Sequence, residues 1–248
     1  MIDDNPATNA PVDRIRLAMP FLSAMLDDLY PIVLPRPRSL SVPEAVVKIV
    51  VAQMLSGAAA RTIYERLSAA RNRTGLAGSW MLPEKKLLSC GLSARKARAI
   101  REFAAAYHEN MARIESWPRL GHGELVREVS SFWGLSSWTA DMLAIFHFGH
   151  EDVFPMTDGS IKRALDEAGK TFGVSKSAVA VNAVSPFRTH LALYLWKSLD
   201  TNYWKRLGRS LNLPEYDVSL GWLIMRPFFL PRQAPYFHLR EPSRSSWG

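Results

Sequence analysis

Apolar residues recur every three to four positions along nearly the whole chain, and the alternating pattern of a half-buried strand is scarce. That periodicity predicts an all-α protein. With 248 residues the chain is long enough to bury a full core, as one large domain or two small ones. The stretch "VDRIRLAMPFLSAMLDDL" predicts an amphipathic helix over 12–29, ended by the proline-rich "YPIVLPRPRSLSVP". Another helix starts near Pro43, with Ser41 as its cap, and runs through "EAVVKIVVAQML". Its Val/Ile cluster would also suit a buried strand, but its length and the lack of a strand to pair with favour helix. Helices follow in "GAAARTIYERLSAAR", "EFAAAYHENMARIESWP", "GELVREVSSF", "IKRALDEAGKTFG", "SKSAVAVNAV" and "PFRTHLALYLWKSL". From Thr201 onward the pattern is less regular and carries several prolines.

Three classes are set aside by what the chain lacks. No apolar run approaches the length of a membrane-spanning helix. The opening "MIDDNPATNAPVD" is acidic and has no apolar stretch, so residues 1–11 read as a flexible lead-in rather than a signal peptide. Cys90 is the single cysteine, which excludes an internal disulfide framework and any four-cysteine zinc or iron–sulfur site. A reduced, cytoplasmic setting is the expectation, nucleoid-associated if the source is bacterial.

Charge is concentrated. Between Arg61 and Arg101 stand ten Lys/Arg against Glu65 and Glu84, and this excess equals the formal charge of +8 of the whole chain. Such a window suits a polyanion such as nucleic acid, although a solvated basic helix face would read the same way. Within and after it runs an internal echo: "GLSARKARAI" at 91–100 and "GLSSWTADML" at 134–143. Both predict a short turn feeding a helix. A helix N-terminus exposes unpaired N–H groups and the positive end of its dipole, so such a turn binds anions. An ordinary helix–turn–helix corner capped by Ser136 or Ser137 has the same pattern.

Two further features lie beyond the second turn's glycine. Asp158 in "VFPMTDGSIKRAL" stands directly before an apolar helical period, where an Asp caps a helix and is at the same time held rigidly enough for catalysis. Trp138 lies in the first turn of the hairpin helix, an unexpected place for a core residue. Trp196 is the other tryptophan of interest.

Taken in order, these segments resemble the helix-hairpin-helix DNA glycosylase superfamily, and within it the bacterial 3-methyladenine DNA glycosylase II group, over roughly residues 40–198. The resemblance rests on "KIVVAQMLSGAAARTIYERL", "LLSCGLSARKARAIREFA", "FWGLSSWTA", "DVFPMTDGSIK" and "PFRTHLALYLW". It implies two helical subdomains with a cleft between them. One, 12–45 plus 146–200, is built from both chain ends. The other, 46–145, carries the hairpin, and 201–248 is a C-terminal extension. It further implies Asp158 as the essential carboxylate, Trp138 and Trp196 as walls of the base pocket, and Met54, on the helix after Gln53, as the wedge that fills the gap left by a flipped base. Gln53, Gly134, Ser136, Thr139 and Lys162 would contact DNA, with amides near Gly134 and Ser136 holding a phosphate. Arg188 would serve in structural pairing.

The departures from the family pattern are Trp133 for the hairpin proline and Ser136 for its second glycine. Bifunctional relatives carry a lysine nucleophile where Trp138 stands, so no Schiff base or coupled strand cleavage is expected. The resemblance thus implies a monomeric, monofunctional enzyme that hydrolytically excises alkylated purines from double-stranded DNA. It would need no cofactor beyond a monovalent cation at the hairpin, and would make no membrane contact. Other readings stay open here: a same-fold glycosylase for deaminated or oxidised purines, a non-catalytic binder of distorted DNA, or a helical interaction module.

Overall fold

The computed structural model describes residues 9–37, 39–174 and 180–210, and among these there is no strand. The single helix expected over 12–29 is divided. Pro20 supplies no backbone donor, so α1 (Ala10–Ala18) ends before it and α2 (Ser23–Leu29) follows a 3-10 turn. The Val/Ile-rich segment forms α3 (Val42–Ala52), whose residues are nearly all buried. An all-round apolar helix must lie inside a bundle rather than on its surface. Ser41 occupies its N-cap position, but the expected cap hydrogen bond from the Ser41 side chain is not made.

Next come α4 (Gly57–Thr74), capped by Ser56 Oγ on Ala59 N at 3.3 Å, then α5 (Glu84–Ser89) and α6 (Ala94–Glu109). The helical pattern continuing past α6 breaks at Asn110, leaving α7 (Met111–Ile114) as a separate turn. The hairpin pair is α8 (His122–Ser130) and α9 (Ser137–Leu143), and α9 widens into a π-helical turn over Ala144–Phe148. The chain closes with α10 (Gly159–Phe172), α11 (Arg188–Asp200) and α12 (Tyr203–Ser210). Of the helix expected in "SKSAVAVNAV", 175–179 lie outside the described residues and Val181–Val184 form a 3-10 turn. Within the segment set apart as an irregular extension from Thr201, residues Tyr203–Ser210 are helical instead. Tyr203 and Trp204 anchor them in the core. Residues 211–248 lie outside the described residues.

Two apolar cores result. One joins α3 to α9 and reaches Val153, with Val46, Val50, Ile100, Phe103, Trp117 and Leu143 at its centre. The other joins α1, α2, α10, α11 and α12, around Leu22, Met25, Ile161, Leu191 and Tyr194. Trp196 packs against both. Each such aliphatic or aromatic side chain contributes roughly 1.5–3 kcal/mol by leaving water, so each cluster is a core in its own right. The seam between them is where a site can be assembled from both.

Candidate active site

Asp158 stands at this seam. Its backbone is extended and its Oδ1 accepts from Ser160 N at 2.9 Å and Ile161 N at 3.0 Å, the N-cap of α10. The side chain is 2% exposed, so it needs further partners, and two indoles supply them. Trp196 Nε1 donates to Oδ1 at 3.1 Å and Trp138 Nε1 donates to Oδ2 at 2.8 Å. Trp138 comes from α9 in the first cluster and Trp196 from α11 in the second. Four N–H donors suit a carboxylate, which only accepts. The two tryptophans, expected as flat walls for a base, thus also hold the acid by their polar edges. The first turn of a helix is a place for Trp138 because its indole is half-buried and its N–H is satisfied.

The loop leading to Asp158 is fixed onto the start of α11. Arg188 grips Asp152 with Nε on Oδ1 at 2.7 Å and Nη2 on Oδ2 at 2.9 Å, and Ser185 Oγ donates to Oδ2 at 2.8 Å. These bonds hold the Asp152 carboxyl below its ordinary range, with Arg188 as the main cause. Fully buried Thr189 adds its own bonds: Oγ1 accepts from Val153 N at 3.0 Å and donates to His150 O at 2.8 Å. Arg188 therefore serves structural pairing, as expected, and sets the height of Asp158 against Trp196.

The hairpin turn between α8 and α9 is close-packed. Gly134 has φ +78°, and a Cβ there would lie 2.6 Å from that of Ala99 on α6. Both the dihedral and the contact demand glycine. Two residues expected to touch DNA act from inside. Thr139 is fully buried, and its Oγ1 accepts from Ser136 N at 3.2 Å and from Gln53 Nε2 at 3.3 Å. Gln53 Nε2 also donates to Gly134 O at 3.3 Å, so this amide braces the turn rather than facing outward. The Ser136 amide, expected to grip a phosphate, is turned to Thr139, because a hydroxyl three residues on offers an acceptor within reach. Ser136 itself is exposed, and the next N–H groups of α9 have no partner within their own helix. Trp133, in the place of the family's proline, is 39% exposed and carries the Arg98 guanidinium 4.2 Å from its ring centre.

Met54 does not lie on a helix as expected. Gln53 ends α3, and Met54 stands alone in the turn before α4 with φ +54° and 99% exposure. Such a left-handed dihedral is uncommon outside glycine and marks a held conformation. Lys162 is exposed on α10, one turn beyond Asp158.

Lys96 is legible in the sequence only as one of ten basic residues. In the structure its Nζ leaves the surface and donates to Val51 O at 2.9 Å and Gln53 O at 2.6 Å. Burial pulls the ammonium down to about 8. A lysine three residues after a cap carries no sequence signal for this role.

A family model described as HhH-GPD superfamily base excision DNA repair protein matches residues 47–180. Over 170 residues, 62% of this chain, the sequence is 29% identical to the DNA-3-methyladenine glycosylase 1 of Schizosaccharomyces pombe, covering 71% of that protein. An alkylbase DNA glycosidase-like protein of the same yeast is 26% identical over 170 residues, 62% of this chain and 76% of its own. Among solved structures, that of the S. pombe 3-methyladenine DNA glycosylase in complex with abasic DNA superposes with a TM-score of 0.64 at 25% identity, over 77% of this chain and 96% of the other. A DNA-3-methyladenine glycosidase from Bacillus halodurans shares the fold with a TM-score of 0.64 at 24% identity, over 81% and 92%.

Proposed function

Given that the chain belongs to the HhH-GPD superfamily of base excision DNA repair proteins, we propose that it is a monofunctional DNA glycosylase that hydrolytically removes alkylated purines of the 3-methyladenine type from double-stranded DNA. The observation that carries this reading is the convergence of two indole N–H groups and two helix amides on one buried carboxylate, Asp158. Departure of a base leaves positive charge on the sugar. A rigidly held carboxylate stabilises that charge without reorganising, and it orients or deprotonates the attacking water. Of its oxygens, Oδ2 carries the fewer donors and is the one to face the sugar.

Alkylation at a ring nitrogen makes the purine cationic and a better leaving group, so no strong general acid is required. The electron-rich faces of Trp138 and Trp196 favour such a cation by roughly 0.5–2 kcal/mol, while their edges hold Asp158. The base must first leave the duplex stack, at a cost of a few kcal/mol. Met54 as wedge and the donor end of α9 as phosphate grip offset that cost. Lys162 and the basic residues of α4 and α6 supply the electrostatic attraction to the backbone. The enzyme acts as a monomer, and Trp138 in the place of a lysine leaves no amine for a Schiff base.

No cofactor enters this proposal. The hairpin carbonyls of Phe132, Gly134 and Ser136 already accept from Leu135 N, Gln53 Nε2 and Ala140 N. Each of these carbonyls keeps a second lone pair, and no step of the reaction runs through a cation there.

The test uses methylated duplex DNA, with released bases and strand breaks measured separately. Wild type is expected to release methylated purine and leave strands unbroken until alkali is added. Asp158→Asn keeps an Oδ1 for the helix cap, so it folds and binds an abasic duplex, yet excision falls by roughly 10³-fold. Excision by that variant at the wild-type rate would refute the assigned chemistry. Tight binding by wild type with no base released would instead support a non-catalytic binder of distorted DNA.

A further inference from the structure

Met54 presents a puzzle that the glycosylase reading leaves open. A fully exposed methionine makes few contacts of its own, and at φ +54° its backbone is held in a conformation that an unrestrained residue would leave. Something beneath it must fix the turn. The carbonyls at the end of α3 carry the negative end of its dipole, and of these Ala52 O is met by Leu55 N at 3.2 Å. Lys96, from the third residue of α6, places its ammonium on two of them: Val51 O at 2.9 Å and Gln53 O at 2.6 Å. The second belongs to the peptide that enters Met54. From the other side, the Gln53 side chain is tied to Gly134 O and Thr139 Oγ1 of the hairpin.

We infer that Lys96 is the positioning residue of the wedge. Its ammonium clamps the last carbonyls of α3, so that Met54 stands out at a fixed height relative to the hairpin and to Asp158. This rests on the reading of Met54 as wedge. Burial works against this ammonium and pulls it down to about 8, so what keeps it there is the pair of helix-end carbonyls and the dipole behind them. An apolar side chain filling the same space would leave both carbonyls without this donor. A cation retained against its own desolvation is spent on holding something. The peptide it holds leads into Met54, the most exposed large apolar side chain among the described residues.

The consequence is specific. A wedge opens a stack, so loss of its support matters only where a stack has to be opened. The probe is an abasic duplex with 2-aminopurine next to the abasic site, whose fluorescence rises when its neighbours unstack on binding. This readout needs no base excision. Lys96→Met is expected to bind the duplex and to lose most of the fluorescence rise, as Met54→Ala does. The double variant should be no worse than either single one, because both act on one element. Lys96→Arg, which keeps a cation in reach of the carbonyls, should recover at least half of the rise. Lys96→Gln repeats the experiment with a polar side chain should Lys96→Met melt lower than wild type.

In excision assays the same variants should lose roughly tenfold on duplex DNA, with less than about a twofold change on single strands. A full fluorescence rise in Lys96→Met, or losses that add to those of Met54→Ala, would overturn the inference. A wild type that unstacks DNA but releases no base would refute the glycosylase reading and leave the wedge clamp supported.

Discussion

The two Gly-Leu-Ser turns are alike in sequence and unlike in what surrounds them. The first, Gly91–Leu92–Ser93, opens α6 with an ordinary cap, Ser93 Oγ accepting from Lys96 N at 3.4 Å. A Cβ on Gly91 would come no nearer than 3.4 Å to the Ile63 side chain and 3.6 Å to the Arg66 guanidinium, ordinary contacts. The second, Gly134–Leu135–Ser136, opens α9. Here the cap runs in reverse, the Ser136 amide donating to Thr139 Oγ1, and Gly134 presses against Ala99 of the very helix that the first turn begins. One turn therefore starts a supporting helix, and the other is wedged onto it and wired to Gln53 and, through Trp138, to Asp158. A repeated motif declares a shape, while its use is decided by which neighbours its backbone is allowed to touch.

Alanine in place of each glycine separates the two most widely. At both positions a positive φ costs an alanine roughly 1–2 kcal/mol. Gly134→Ala adds an overlap with Ala99, worth about 1–3 kcal/mol more. The expected loss in denaturant unfolding is therefore about 2–4 kcal/mol at Gly134 and about half that at Gly91. Ala99→Gly should relieve the first loss in part and leave the second unchanged. Equal losses at the two glycines, or no coupling to Ala99, would mean that the turns are equivalent after all.

The capping hydroxyls give a smaller and more selective contrast. Ser93→Ala removes a simple cap and should cost about 1 kcal/mol of stability, with excision unaltered. Thr139→Val removes the acceptor shared by Ser136 N and Gln53 Nε2, at a similar cost of about 1–2 kcal/mol. It should also slow excision, because it releases the brace between the hairpin and the turn that carries Met54. Similar stability losses with divergent activities would sharpen the distinction. Unchanged excision in Thr139→Val would break it.

The fold is readable in the sequence because its strongest signals are local. Helical spacing of apolar residues and the all-round apolar character of α3 each act within one or two turns of chain, whereas the helix expected over 12–29 ran through Pro20, where the chain breaks. Asp158 is readable for the same reason, since a residue placed to cap a helix is marked by the apolar helical period just after it. Interactions that span the sequence escape such a reading. Gln53 bridges to Gly134 and Thr139, over eighty residues away. The hairpin position of Thr139 and of the Ser136 amide is visible in one dimension and points to the DNA surface, whereas the direction of a hydroxyl or an N–H is not visible there. Lys96 is hidden among basic neighbours, because charge density does not say which cation has turned inward.

That inward turn leaves a signature in solution, the smallest of the expected effects. Burial places the folded-state pKa of Lys96 at about 8, below the value of about 10.4 for an unfolded lysine. Below pH 8 both states hold the proton and the folded state carries the full cost of a buried cation. As pH rises through 8, the folded state releases its proton while the unfolded state keeps it until about 10.4. The unfolded state then binds more protons, so stability rises with pH across this window. Lys96→Met lacks that contribution and shares every other titrating group with wild type. The melting temperature of wild type minus that of Lys96→Met should therefore increase between pH 8 and pH 10, on the order of 2 °C after solvent screening of a half-buried group. A difference that stays flat would place the ammonium in water, and one that falls would mean that its two carbonyl acceptors outweigh its burial. In either case the helix begun by the first turn would not be carrying a desolvated cation to the base of the wedge, and the contrast between the two turns would rest on Gly134 and Thr139 alone.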